Sequence, residues 1–240
     1  MKNQYFGDVN DYRKYGLLRA LKVPGNLPLG VCWMLTDNDG GRDGKKRDYL
    51  DNQEAYRHFD PPLYDWLCEH HDARQVGCIE RSNPPLLGDA IFHAPILNND
   101  RRDREDYFKT CGAAFQCCNL VFFDPDNGLE VPSVPKGREK SRKYVYWDEV
   151  GKAFSMGASM LIYQHFPRFV YHNTCTVNKA KALLVHTKAA TVYTFSTPDV
   201  LFLLAVQHQH QNHFAARVAE IERIWKGQIL VAQHNPSTNR

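Results

Sequence analysis

The stretch NLVFFDPDNG, residues 119–128, largely decides which fold the sequence predicts. Its apolar half, LVFF, suits a strand that is buried on both faces, as in a parallel sheet covered by helices. Its polar half, Asp124-Pro125-Asp126-Asn127, stands where that strand would end, and we call it the Asp-Pro loop. Ligands of open α/β sheets bind beyond the carboxyl ends of the strands, so the Asp-Pro loop is a candidate site.

Similar apolar runs recur along the chain, each ending in polar or turn residues. They are GVCWML (30–35), QVGCIE (75–80), DAIFHA (89–94) and SMLIYQH (159–165). Helical patterns cover 10–22 and 212–227, and three further strand patterns, which could form a hairpin at one sheet edge, cover 190–197, 200–206 and 228–233. The sequence predicts one α/β domain, 1–240, with an open, mainly parallel sheet and helices on both faces.

The composition excludes several classes of protein. With 43% hydrophobic and 24% charged residues, the chain is neither disordered nor fibrous. Its seven cysteines contain no CxxC pair, which argues against a disulfide framework and a cysteine zinc site. No apolar run approaches a membrane span, and the N-terminal residues lack the apolar region of a signal peptide, so we expect a cytoplasmic protein with no membrane partner.

The N-terminal stretch FGDVNDYRKY and the Asp-Pro loop resemble the bacterial ribosomal-RNA adenine-N6 methyltransferase family. That family opens with Gly-Asn, Ala-Asp and Lys-His pairs, whose spacing Gly7, Asp11 and Lys14 match. Asp8 stands in place of Asn, and Tyr15 in place of His. FFDPDNGLE is similar to the family's Ile-Asp-Pro-Pro-Tyr-Glu. The resemblance implies a Rossmann-like methyltransferase fold and the cofactor S-adenosylmethionine (AdoMet).

The resemblance also implies where AdoMet would bind. TDNDGG (36–41) looks like a degenerate form of the family's glycine-containing cofactor loop after the first strand. We therefore expect Asp37, Gly40 and Gly41 to approach the cofactor. Glu80 would end the second predicted strand, where the family's acid accepts hydrogen bonds from the ribose hydroxyls.

The Asp-Pro loop would carry the chemistry. The resemblance implies that the Asp124 carboxylate and the Pro125 carbonyl would accept hydrogen bonds from an adenine amine. Such hydrogen bonds favour a pyramidal nitrogen in the transition state. Lys14 is expected near the substrate or the cofactor. The family has proline and an aromatic residue at the next two positions, and the aromatic ring stacks on an extruded base. Here those positions are Asp126 and Asn127.

Three other interpretations of the same loop stay open. Asp124, Asp126 and Glu130 place three carboxylates close together in sequence, which suits Mg²⁺ or Mn²⁺ in a metal-dependent nuclease or phosphodiesterase. The chain could instead be a non-catalytic nucleic-acid-binding module on a methyltransferase fold. Finally, DPDNG could be only a turn, because Asp, Pro, Asn and Gly are common turn formers.

Clustered basic residues would neutralise the phosphates of RNA or DNA if they met on one face, although the formal net charge is only +3 and any single run is more typical of a solvated loop. The clusters are RDGKKR (42–47), RRDR (101–104) and KGREKSRK (136–143). The third directly follows the Asp-Pro loop region, and its predicted nucleic-acid-binding residues are Lys136, Arg138, Lys140, Arg142 and Lys143. At the end of the run 159–165, His165 could be a ligand, a general base or a structural residue.

Overall fold

The computed structural model describes residues 1–22, 27–41 and 44–236. The strands are β1 (Leu29–Cys32), β2 (Ile91–His93), β3 (Leu120–Phe123), β4 (Gly128–Leu129), β5 (Tyr144–Val145), β6 (Ser159–His165), β7 (Thr191–Ser196), β8 (Val200–Val206) and β9 (Leu230–His234). Seven of them form one sheet in the order β2-β1-β3-β6-β8-β7-β9, while β4 and β5 form a small separate pair.

Helices cover both faces of this sheet. They are α1 (Val9–Lys22), α2 (Gln53–Tyr56), α3 (Pro61–His70), α4 (Gly77–Glu80), α5 (Arg101–Ala114), α6 (Trp147–Ser155), α7 (His172–Thr187) and α8 (Gln211–Ile224). One buried apolar cluster joins the sheet to α1, α3 and α8, and a second joins its other face to α5, α6 and α7. No helix within the described ranges is long and apolar enough to cross a membrane.

Strand directions define a Rossmann-like sheet. β2, β1, β3 and β6 are parallel neighbours, and β8 runs antiparallel between β6 and β7. From β1 the chain passes to β2 on one side, and it later returns to β3 on the other side of β1. The carboxyl ends of β1 and β3 are therefore a topological switch point, where open α/β sheets form a crevice. The predicted α/β class with a mainly parallel sheet is confirmed.

The predicted strand 75–80 is wrong, because its last four residues form helix α4. Val76 and Ile79 are buried at a helical spacing of three residues, and Gly77 and Cys78 between them are only half-buried. A short apolar run does not distinguish a buried strand from a buried helical turn. The second strand is instead the run that contains Ile91–His93.

Helix α1 begins at Val9, one residue before the predicted segment 10–22, and the side chain of Asp8 caps its first turn. Asp8 Oδ1 accepts hydrogen bonds from the backbone amides of Asn10 at 2.8 Å and Asp11 at 3.0 Å. These amides would otherwise be unsatisfied in the first helical turn. α1 then packs across α8, where a side chain at Gly16 would overlap the Trp225 ring.

The three C-terminal strand predictions are confirmed. β7 and β8 form an antiparallel hairpin, and β9 pairs with the outer side of β7. β8 is buried at every position because it lies beside β6 inside the sheet. The hairpin thus extends the sheet beyond β6, on the side away from the switch point at β1 and β3.

Candidate functional site

The Asp-Pro loop lies at the switch point, against the segment that follows β1. The backbone amide of Asp124 donates to the Cys32 carbonyl at 3.0 Å. The Thr36 hydroxyl donates to Asp126 Oδ2, also at 3.0 Å. The loops after two neighbouring parallel strands therefore meet through direct hydrogen bonds at the edge where open α/β sheets bind their ligands.

Helix α1 brings a buried cation to this loop. Lys14 is only 2% exposed, and its Nζ lies 2.7 Å from Asp11 Oδ1 and 2.7 Å from Asp124 Oδ2. Burial lowers the pKa of Lys14, but the two carboxylates outweigh it and raise that pKa. Burial raises the pKa of Asp124, and Lys14 limits the increase. The two family-like stretches of the sequence are thus joined in space by an ion pair.

The second acid of the loop is held by other cations. The α-amino nitrogen of Met1 lies 2.7 Å from Asp126 Oδ1, and Lys2 Nζ lies 4.0 Å from Asp126 Oδ2. Burial raises the pKa of Asp126, but the Met1 amine, Lys2 and the Thr36 hydroxyl outweigh it and lower that pKa. Asp126 is therefore a carboxylate at neutral pH, with positive charge already against it.

β6 holds the Asp-Pro loop from beneath. Gln164 Oε1 accepts the Leu129 amide at 3.0 Å, and Gln164 Nε2 donates to the Asn127 carbonyl at 3.0 Å. Gly128 has φ +120°, and a Cβ there would overlap the Gln164 carboxamide. The glycine after Asn127 is thus needed both for its backbone conformation and for this close approach. The Asp-Pro loop is therefore a turn whose backbone is held in place by Gln164.

A cavity of ≈ 670 Å³ opens above the Asp-Pro loop. This volume falls within the usual range for small-molecule and cofactor sites. The lining comprises Met1, Lys2, Tyr5, Asp8, Asn10, Asp11, Lys14, Asp39, Gly44, Lys45, Lys46, Asp48, Asp124, Pro125, Asp126, Asn127, Lys143, Tyr163, His165, Arg168 and Asp199. All five catalytic residues predicted from the sequence (Asp124, Pro125, Asp126, Asn127 and Lys14) therefore face one space.

The predicted cofactor residues lie elsewhere. Within the described part of the chain, the cavity lining does not include Asp37, Gly40, Gly41 or Glu80. Gly40 is exposed, its φ is +67°, and a Cβ there would contact no protein atom within 4 Å, so the backbone conformation of this turn is what favours glycine here. Asp37 pairs with Arg142 at 2.8 Å on the surface. The loop after β1 instead reaches the cavity through Asp39, which is bonded to Lys2.

Glu80 does not end the second strand, so that prediction is corrected. It is the last residue of α4, which precedes β2 in the chain. Its carboxylate accepts the indole N–H of the buried Trp33 at 2.7 Å. One oxygen of this carboxylate therefore fixes a core side chain.

The predicted metal-binding carboxylates are not gathered. Glu130 Oε2 accepts the backbone amide of Trp147 at 3.0 Å, at the start of α6. Asp124 is paired with Lys14, and Asp126 with the Met1 amine. Among the residues that the structure describes, no group of three His, Cys, Asp or Glu side chains is placed to hold a metal ion. Each of the two acids of the Asp-Pro loop thus already has a cation against it.

The predicted nucleic-acid-binding residues divide between separate surfaces. Lys143 lines the site cavity, together with Lys45 and Lys46 of the first basic cluster. Lys136 pairs with Glu149 at 3.1 Å in a second groove between α5 and α6. Arg138 and Lys140 are exposed, and Arg142 is paired with Asp37. Arg42 and Asp43 of the first cluster lie outside the described residues.

Several cavity residues carry little signal in the sequence. Asp8, Asp39 and Arg168 belong to different elements, and nothing in their spacing shows that they share a cavity. Asp8 differs from the other two because it is part of the family-like N-terminal stretch. His165 is the last residue of β6, directly after Gln164, and it also lines the cavity.

Asp8 is expected to make stability depend on pH near neutrality. Burial and the neighbouring Asp11 carboxylate raise the pKa of Asp8 to about 7. The folded protein therefore binds an extra proton between about pH 4 and pH 7, and stability falls as pH rises through this range. Asp8→Asn keeps an oxygen that can cap α1 and removes the titration. Its unfolding free energy relative to wild type should rise by about 2 kcal/mol from pH 5 to pH 8.

Urea unfolding of both proteins at the two pH values measures this difference. Asp72→Asn is the control, because the Asp72 side chain is 86% exposed. A difference between Asp8→Asn and wild type that stays constant from pH 5 to pH 8 would show that Asp8 has an ordinary pKa.

Fold and site together define a Rossmann-like α/β protein with a cavity at its switch point that both acidic and basic residues line. No family model matches the chain. No curated protein matches it either. Among solved structures, it is similar to the crystal structure of protein LPL1258 from Legionella pneumophila, a DUF519 protein, with 12% identity and a TM-score of 0.42 over 97% of this chain and 98% of that chain. A likeness this distant carries no argument about activity.

Proposed function

We propose that this chain is a cytoplasmic AdoMet-dependent methyltransferase that acts on a base of RNA or DNA, most simply an adenine amine. One observation carries the proposal. The N-terminal stretch with Asp8, Asp11 and Lys14 converges with the Asp-Pro loop on one cavity at the switch point. These are the two stretches that resemble the adenine-N6 methyltransferase family, and they are far apart in the sequence.

The amine would be held by the first two residues of the Asp-Pro loop. The Asp124 carboxylate and the Pro125 carbonyl are hydrogen-bond acceptors, and both residues line the cavity. Acceptors fixed in advance act on the transition state, where the amine nitrogen develops positive charge. Lys14 is a positioning residue in this proposal. It keeps Asp124 oriented and ionised within a buried environment through their 2.7 Å ion pair.

The charges of the cavity fit the cofactor. AdoMet carries cationic sulfonium and amino groups as well as a carboxylate. Asp39 offers a carboxylate to the cationic groups, and Lys45 offers an ammonium to the carboxylate. When bound, AdoMet supplies an electrophilic methyl group. In this arrangement Asp39 replaces Asp37 as the residue of the β1 loop that would contact it.

Calorimetric titration of AdoMet into metal-stripped protein tests the proposal. We expect a dissociation constant in the micromolar range, roughly −8 kcal/mol. Asp39→Asn should weaken binding about tenfold, because it removes a charge-assisted hydrogen bond worth about 1.5 kcal/mol or more. Asp37→Asn is the matched control on the same loop, and it should bind AdoMet like wild type because Asp37 points to Arg142.

The alternatives predict different titrations. A nuclease would bind Mg²⁺ or Mn²⁺ instead of AdoMet, and it would lose the metal in Asp126→Ala. A non-catalytic module would be silent in both titrations yet still bind RNA or DNA. Absence of AdoMet binding would therefore reject methyl transfer, and the metal titration would then separate the two remaining functions.

A further inference from the structure

Two aromatic rings are almost uncovered on the segment between β6 and α7. Phe169 is 98% exposed and Tyr171 is 87% exposed. Val170 between them is 41% exposed, so three adjacent apolar side chains face solvent. Contiguous apolar surface of this kind marks binding sites, whereas single exposed residues need no explanation. We call residues 167–171 the aromatic loop.

The aromatic loop is fixed at both ends. Before it, the buried ring of Phe166 stacks on His172, with ring centroids 3.8 Å apart. After it, the Tyr171 carbonyl accepts the Cys175 amide at 3.0 Å and begins α7. Because both ends are anchored, the rings are presented to a ligand with a reduced entropic cost of ordering the loop.

The aromatic loop lies beside the site cavity. The His165 amide, two residues before the loop, donates to the Asn127 carbonyl at 3.0 Å. His165 and Arg168 line the same cavity as Asp124. Phe169 directly follows Arg168 in the chain. A polymer with one unit in the cavity would therefore have its neighbouring units beside Phe169 and Tyr171.

The ligand must offer flat apolar faces and negative charge. The rings of Phe169 and Tyr171 provide stacking surfaces, while Lys143 and Arg168 at the cavity provide cations. Unpaired nucleic acid combines base faces with phosphates, and aromatic stacking together with basic residues is how proteins bind it. In a duplex, the base faces are already stacked on each other, and separating them costs a few kcal/mol per step.

The Asp-Pro loop cannot supply the stacking surface itself. Its four residues are Asp124, Pro125, Asp126 and Asn127, and none has an aromatic ring. Tyr163 lines the cavity, but its ring packs edge-on against Phe202 with centroids 5.6 Å apart. Among the described residues, the most exposed aromatic rings are those of Phe169 and Tyr171.

We propose that Phe169 and Tyr171 stack on unpaired bases that flank the base in the cavity. The substrate is then a single-stranded or looped segment of nucleic acid and not a continuous duplex. This inference rests on the proposed function for the identity of the base-modifying site, but the stacking surface is tested by binding alone.

Fluorescence anisotropy with labelled single strands and matching duplexes, as RNA and as DNA, measures the effect. Alanine at Phe169 or at Tyr171 should weaken single-strand binding about tenfold, and the double variant about 100-fold. Phe169→Trp and Tyr171→Phe should keep wild-type affinity, because each retains a ring. Val185→Ala is the control, since Val185 is an apolar residue of α7 that is 73% exposed.

Three results would overturn the inference: no single-strand binding by wild type, an unchanged affinity in the double variant, or an equal loss of affinity for duplexes. AdoMet titration of the same proteins separates this inference from the proposed function. If AdoMet does not bind but the double variant still loses single-strand affinity, methyl transfer is rejected and the stacking surface stands. If AdoMet binds and the double variant keeps wild-type affinity for single strands, the stacking surface is rejected and the proposal of methyl transfer stands.

Discussion

Asp124→Ala is expected to lower the rate of methyl transfer by about 10³-fold, the usual cost of removing one preorganised group from a transition state. The loss should appear in kcat and leave the dissociation constant for nucleic acid nearly unchanged, because the Asp124 hydrogen bond strengthens only as the amine nitrogen becomes positive. The variant should fold, since Lys14 keeps its 2.7 Å ion pair with Asp11. Transfer of labelled methyl groups from AdoMet to RNA or DNA under single-turnover conditions measures the rate.

Two further variants make the interpretation specific. Asp124→Asn retains a carbonyl oxygen but not the charge, so its rate should lie between those of wild type and Asp124→Ala. Asp72→Ala removes a carboxylate that is 86% exposed, and its rate should equal that of wild type. Wild-type activity in Asp124→Ala would exclude both methyl transfer and metal-dependent cleavage at this loop, because both mechanisms require this carboxylate.

Lys14→Met is expected to cost about 3 to 5 kcal/mol of stability at pH 8, because it leaves buried carboxylates without their cation. Lys14, Asp11 and Asp124 are each 2% exposed, so water cannot replace the missing charge. The loss should be smaller at pH 5. An uncompensated buried acid has a raised pKa in the folded state, so that state takes up a proton and is favoured as pH falls.

A double-mutant cycle attributes this loss to the ion pair. Adding Asp124→Asn to Lys14→Met removes one of the stranded charges and should recover part of the lost stability, which gives a coupling energy for the pair. Arg142→Met is the control, since it removes a cation from an exposed pair with Asp37 and should cost no more than about 1 kcal/mol. If Lys14→Met lost as little as Arg142→Met at pH 8, Lys14 would not be the essential counterion of Asp124.

The local sequence determined most of the sheet. The run that became β3 is apolar at every position, and the run that became β6 is apolar over residues 160–163, a pattern that suits a strand buried on both faces. The run 75–80 had the same appearance and became helix α4. The start of this helix makes a contact with a distant part of the chain, since the Val76 amide donates to the Asn3 side-chain oxygen at 3.0 Å.

The local sequence also indicated the core of the site. Asp11 and Lys14 lie three residues apart on one face of α1, and the Asp-Pro loop follows a strand, so each half could be recognised alone. The cofactor residues could not be recognised in this way. Gly40 and Gly41 look like a cofactor loop in the sequence, but the chain carries them to the exposed side of the β1 loop and turns Asp39 toward Lys2.

The sequence by itself therefore determined the class of fold, the placement of the Asp-Pro loop at a strand end and the shared face of Asp11 and Lys14. These features depend on side-chain periodicity and on spacing within one element. Only the tertiary structure decided that Lys14 would neutralise Asp124, that Glu80 would bond to Trp33, and that the predicted metal carboxylates would stay apart. Such contacts join residues from different elements, and their energies depend on burial and charge that exist only after the sheet has assembled.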